Sequence, residues 1–206
     1  MKIPLFAIVV GLTFNAAMTI RNNDASHPAL RYESFIKDFG SVPEGDAQYS
    51  LGIFTDLPVS SDESRVMEWT HCYPGHTFIR LTKVSGQHCA SKTIGLYPSM
   101  PLQTLVDHGK IPGKFSDDTG HPFDLSHIVP LTAQEFRHVL EKIKKKYDFL
   151  YYDIDDYNCT DFALDIYNSL RPCSPLPIKK DSLLFNKLII STPRGMYDLL
   201  KKEKLL

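Results

Sequence analysis

The chain has 206 residues, a formal net charge of −1 from 23 Lys+Arg against 24 Asp+Glu, and 43% apolar residues. That composition belongs to a globular chain with a real core and excludes a mostly disordered, collagen-like or low-complexity protein. The balanced charge lacks the basic excess of a nucleic-acid binder, and four cysteines are too few to build a disulfide-stapled mini-fold.

Met1-Lys2 precedes the apolar run IPLFAIVVGLTF. Such a run is too short to span a bilayer. One charge, an apolar stretch and then small residues at Ala16 and Ala17 are the order of parts in a secretory leader. The reading is a signal peptide over residues 1–20, cut somewhere between 15 and 21, and hence a secreted or periplasmic protein. A buried N-terminal helix or strand is the competing reading. No second long apolar run follows, so no stable membrane insertion is expected once the leader is gone.

Residues 21–46 read as a polar N-terminal extension with one short helix around ALRYESFIKDF. Residues 47–206 read as one α+β domain, an antiparallel sheet packed with helices. AQYSLGIFTDL has strand composition and stops at Pro58. HTFIRLTKV (76 to 84), a turn in SGQHCA, and SKTIGLYP (91 to 98) read as a hairpin rich in β-branched and aromatic residues. The segment 101 to 122, punctuated by Gly109, Pro112, Gly113, Gly120 and Pro122, reads as irregular, and FDLSHIVPL as a further strand.

Thr132 and Glu135 form a T-x-x-E capping box before an apolar face of Phe136, Val139, Leu140 and Ile143. A second helix opens at YNCTDFALDIYNSL, with Asn158 as N-cap, Asp161 in the first turn and a stop at Arg171-Pro172. A last helix starts at Thr192-Pro193.

Cys159 is then the first residue of a helix, where unsatisfied N–H groups and the positive dipole end favour a thiolate. The same amides can stabilise an acyl-transfer oxyanion, the backbone N–H of Cys159 among them. A small buried cysteine is the plain alternative, and the sequon Asn158-Cys159-Thr160 a further one, at odds with a capping role. A thiolate needs a base. His76 opens an apolar strand directly after Pro74-Gly75. Histidines 27, 88, 108, 121, 127 and 138 fall in expected loops, at a loop edge or on a helix surface, where solvation is the expectation.

PGHTFIRL, a hairpin, a further strand, a helix and then YNCTDFAL together resemble the circularly permuted papain-like superfamily. That group includes permuted NlpC-type cell-wall peptidases and lecithin:retinol acyltransferase-like proteins. The GHTF…G-x-YP…NCTDFA pattern also resembles a family of exported bacterial proteins. The resemblance covers about residues 47 to 200 and implies a thiol hydrolase, with Cys159 as nucleophile and His76 as base. It implies a peptide or acyl substrate, such as a peptidoglycan fragment, and no cofactor. It also implies a polar residue that orients the imidazole from the strand after the histidine. That strand offers Tyr97 or Thr93.

Asp153, Asp155, Asp156 and Asp161 crowd the nucleophile in sequence. The plain expectation is that they face solvent. The alternative is that Asp156 and Asp161 receive a cationic group of the substrate. Two rival functions stand beside the hydrolase. One is an inactive binding module of the same fold. The other is a zinc site drawn from His71, Cys72, His76, His88 and Cys89. A Cys72–Cys89 disulfide is also conceivable, since export permits one.

Overall fold

A computed structural model describes residues 28–70, 73–100, 109–177, 180–183 and 188–203. The leader, His27, His71, Cys72 and His108 lie outside the described residues. The fold is α+β, with helices packed on an antiparallel six-stranded sheet.

A short helix α1 (Tyr32–Ile36) and a 3-10 turn (Lys37–Ser41) come first. The sheet strands are β1 (Gln48–Asp56), β2 (His76–Ser85), β3 (His88–Pro98), β4 (Ile111–Ser116), β5 (Leu125–Leu131) and β6 (Tyr151–Tyr152). Their spatial order is β5-β1-β2-β3-β4-β6. The helices are α2 (Ala133–Asp148), α3 (Cys159–Asn168) and α4 (Pro193–Glu203), and a small separate hairpin pairs β7 (Lys180–Leu183) with β8 (Leu188–Ser191).

Alternation along the strands sends Leu51, Ile53, Ile79, Leu81, Ile94 and Leu96 into one core. Helix α2 adds Phe136, Val139 and Ile143, and α3 adds Phe162, Ala163 and Ile166. On the opposite face Phe54 and Phe78 stack at 5.3 Å, with the Phe123 ring edge-on to Phe54. The long loop 117–124 therefore folds back over that face.

The three expected helix starts are present. Thr132 and Glu135 close their capping box, as do Asn158 and Asp161. Thr192 Oγ1 accepts from the Gly195 amide at 2.9 Å and Pro193 is the first residue of α4. Three features depart from expectation. The hairpin turn is only Gly86-Gln87, with Ser85 paired to His88 and Gly86 at φ +56. Within the segment read as irregular, β4 pairs with the end of β3, tolerating Pro112 near its start, where it pairs with the two-residue β6 and the Pro112 carbonyl accepts from the Ser99 amide. And Phe35, Phe39 and Val42, all ahead of residue 47, are buried in the main core.

One discontinuity positions everything that follows. The β2–β3 ladder ends at Ile79↔Ile94. Beyond it β3 carries on paired with β4, from Gly95↔Ser116 to Pro98↔Gly113, while β2 runs on beside β1 to Asp56↔His76. The sheet thus parts at the start of β2.

Candidate active site

Four side chains converge at the parting of β2 and β3. His76 begins β2 and is 4% exposed. Its Nε2 lies 3.1 Å from Asp118 Oδ2. Asp118 Oδ1 accepts the Tyr97 hydroxyl at 2.6 Å, and the Tyr97 ring lies against the imidazole with centroids 4.4 Å apart. Cys159, at the mouth of α3, lies near enough to the His76 ring to help raise its pKa. With Nε2 facing Asp118, Nδ1 is the ring nitrogen left for a further partner.

Local sequence explains each placement. Asn158 accepts from the Thr160 and Asp161 amides (2.9 and 3.4 Å), and its own amide donates to Ile154 O and Ser191 O (3.1 and 3.0 Å). The start of α3 is thereby anchored on both sides, and the Cys159 N–H is not among the amides the cap takes. Thr160 also meets Thr77 at 3.2 Å, tying the helix mouth to the strand that carries His76. Gly75 is held at φ +83, where a Cβ would strike the Asp56 carbonyl. Gly95 is needed for space: a Cβ there would overlap Asp118 Oδ2 and lie 2.5 Å from His76 Nε2.

The electrostatics follow from burial and pairing. Burial opposes an imidazolium at His76, but the hydrogen bonds and charges of Asp118 and Cys159 outweigh it and raise the pKa to about 10. Burial likewise opposes a charged Asp118. The hydrogen bond and charge of His76, with the Tyr97 hydroxyl, nevertheless hold its carboxyl below the usual range. Burial and the Asp118 charge push the Tyr97 phenol up, so it stays a donor. Cys159 keeps 7% of its surface exposed. The arrangement can pass a proton from a thiol to a buried, carboxylate-backed imidazole.

The sequence expectations fare differently residue by residue. Cys159 and His76 are brought together. Tyr97 belongs to the cluster, but it acts on Asp118 and packs on the ring rather than accepting from the imidazole. Thr93 is buried in the ladder opposite Arg80. The residue on Nε2 is Asp118, from the loop after β4, which sequence reasoning passed over. His121, expected in solvent, instead packs edge-on against His76 at 5.2 Å, with Nε2 3.4 Å from Asp56 Oδ2.

The acidic cluster also divides. Asp161 turns inward, accepting from the Asn158 amide (3.1 Å) and the Ser191 hydroxyl (2.6 Å). Burial raises its pKa against those bonds. It is part of the cap and not a free anion for substrate. Asp153 is buried and accepts from the Asp155 and Asp156 amides in a tight turn, whereas Asp156 is exposed.

The zinc cluster does not assemble among the described residues. His88 pairs with Ser85 at the far end of β2 from His76, roughly 30 Å away at about 3.3 Å per residue. His76, His88 and Cys89 cannot share one ion, and no group of three His, Cys, Asp or Glu is arranged for a metal among the described residues. Cys89, Cys159 and Cys173 are free thiols.

Comparison with protein-family models, curated proteins and solved structures found no match. No helix among the described residues is long and apolar enough to cross a membrane.

Proposed function

We propose that this chain is an exported cysteine hydrolase of amide or acyl bonds, built on the permuted papain-like plan. The observation that carries the reading is the His76 imidazole set between the Cys159 thiol and the Asp118 carboxylate. The order of a histidine strand ahead of a cysteine helix, which the resemblance implies, also supports it.

In this mechanism His76 already holds the proton drawn from Cys159, as an imidazolium in keeping with its raised pKa, and the thiolate attacks the substrate carbonyl. The S–C bond forms as the carbonyl π electrons move to oxygen, and the Cys159 N–H is one donor to that oxyanion. Collapse breaks the bond to the leaving group, which receives the proton from His76. His76 then deprotonates a water that cleaves the thioester and restores the thiol. Asp118 stabilises the buried imidazolium and fixes its ring, and Tyr97 fixes Asp118.

The test is hydrolysis of a peptidoglycan-derived peptide by the wild-type chain and by Cys159→Ala, together with mapped iodoacetamide labelling. Mapping is needed because Cys89 and Cys173 are exposed thiols as well. The expectation is loss of turnover in the variant, with a wild-type Cys159 that labels faster than either exposed thiol at neutral pH. Unchanged hydrolysis by the variant overturns the reading.

A further inference from the structure

The β4–β6 edge carries an unusual surface. Phe149, which caps α2, is 83% exposed, more than any other large apolar side chain among the described residues. It lines a cleft of about 310 Å³ together with Phe115, Leu150, Tyr151, Tyr157 and lysines of α2. A second cleft of about 500 Å³ shares Phe115 and Leu150 and adds Lys114 and Lys144. Lys110 stands over the Tyr151 ring at 4.6 Å and Lys146 over the Tyr157 ring at 4.4 Å.

Charge at this edge runs against the −1 of the whole chain. Lys142 and Lys146 share one carboxylate, Asp165, at 2.6 and 2.7 Å, which offsets only one of their two charges. Lys110, Lys144 and Lys145 hold no ion pair among the described residues. Glu141 and Asp148 are the exposed acids on the same stretch of helix, and Glu33 and Asp148 line the second cleft. Lysines in a last helical turn offset the dipole, which accounts for Lys145 and Lys146. It accounts neither for an apolar ring left in water at the tip nor for Lys110 arriving from a different part of the chain.

We infer that this edge docks onto an anionic lipid bilayer. A protruding aromatic ring ringed by lysines is the geometry of interfacial binding. The ring enters the boundary between headgroups and acyl chains, and the lysine stems lie along it with their ammonium groups on the phosphates. Phe149 lines the first cleft, yet 83% of its surface is exposed; a small soluble anion brings no apolar layer to bury that ring, so the patch favours a lipid surface. This proposal does not depend on the hydrolase reading.

The test is co-sedimentation of the full chain with phosphatidylcholine vesicles, with and without phosphatidylglycerol. The comparison is among wild type, Phe149→Ser, Lys144→Ala/Lys145→Ala and a control, Lys202→Ala, on α4. All share every other residue, so differences report the substituted position alone. Expected are a preference for phosphatidylglycerol vesicles and about tenfold weaker binding for Phe149→Ser. Each lysine lost should cost about fivefold, an effect that shrinks with added salt, and Lys202→Ala should bind as wild type. All these side chains are exposed, so circular dichroism should be unchanged. Equal binding to the neutral vesicles, or binding unaltered in both patch variants, overturns the proposal.

Discussion

Asp118 sets the charge of His76, and the consequence is measurable without any substrate. A buried imidazole beside no carboxylate would be neutral at pH 7. Here the Asp118 hydrogen bond and charge, with those of Cys159, overcome burial and raise the pKa to about 10. A raised histidine stabilises the fold fully below its unfolded value of about 6.5, and that share fades as pH climbs toward 10. A lowered aspartate stabilises above its unfolded value of about 3.9 and loses that share in acid. Asp118→Asn should therefore cost most stability between about pH 4 and 6.5, with the deficit shrinking toward pH 10. Urea midpoints against pH, with the His76 ring followed by NMR, check this. The variant's His76 should titrate below the wild-type value, and a flat deficit across pH contradicts the pairing. Of this cluster, Cys159 and His76 were legible because each sits at a recognisable element start, after Asn158 and after Pro74-Gly75. Asp118 had no such marker. It follows a strand hidden by Pro112 and Gly113, and its role arises from a loop closing over the sheet, which no local spacing encodes.

At the scale of elements, caps carry their information in adjacent residues, which is why α2, α3 and α4 were readable from Thr132, Asn158 and Thr192. Strand partners are long-range, and the parting of β2 from β3 beyond Ile79↔Ile94 leaves no periodic trace. Its one local sign is Gly95 in the G-x-Y-P stretch. That glycine lies where β3 leaves β2 for β4, and it faces both Asp118 Oδ2 and His76 Nε2. Its backbone has no positive φ, so the residue is required for room rather than for conformation. Gly95→Ala should leave the β3–β4 ladder formed but force the carboxylate and imidazole apart. The expected outcome is a folded protein, unchanged in far-UV circular dichroism, whose Cys159 alkylates at least tenfold more slowly than wild type. An unaltered alkylation rate would show that the His76–Asp118 contact does not govern the thiol.

For the molecule as a whole, the described stretch ahead of β1, residues 28–47, is structural and not an appendage. The sequence showed it as polar and punctuated because its apolar residues are few, yet those few are spent inward. Phe35 is fully buried and meets Phe39 edge-on at 6.0 Å, and Phe39 meets Phe136 of α2 at 5.2 Å. Leu30 donates to the Phe115 carbonyl at 2.7 Å and Ala29 bridges Ser116, two residues before Asp118. Lys83, only 3% exposed, reaches from β2 to the Phe39 carbonyl at 3.1 Å and to Glu44 at 2.6 Å. The segment thus closes the core from below and braces the strand that leads into the Asp118 loop. Phe35→Ala should then destabilise by about 3–5 kcal/mol, the range for a buried phenylalanine whose cavity cannot collapse. For a domain of this size that is a fall in melting temperature of roughly 10 °C. Urea titration should show a lower midpoint at an unchanged slope, since the same surface is still exposed on unfolding. A loss below about 1 kcal/mol, the level of an ordinary surface change, would mean that the segment only lies against the domain and does not help to hold it together.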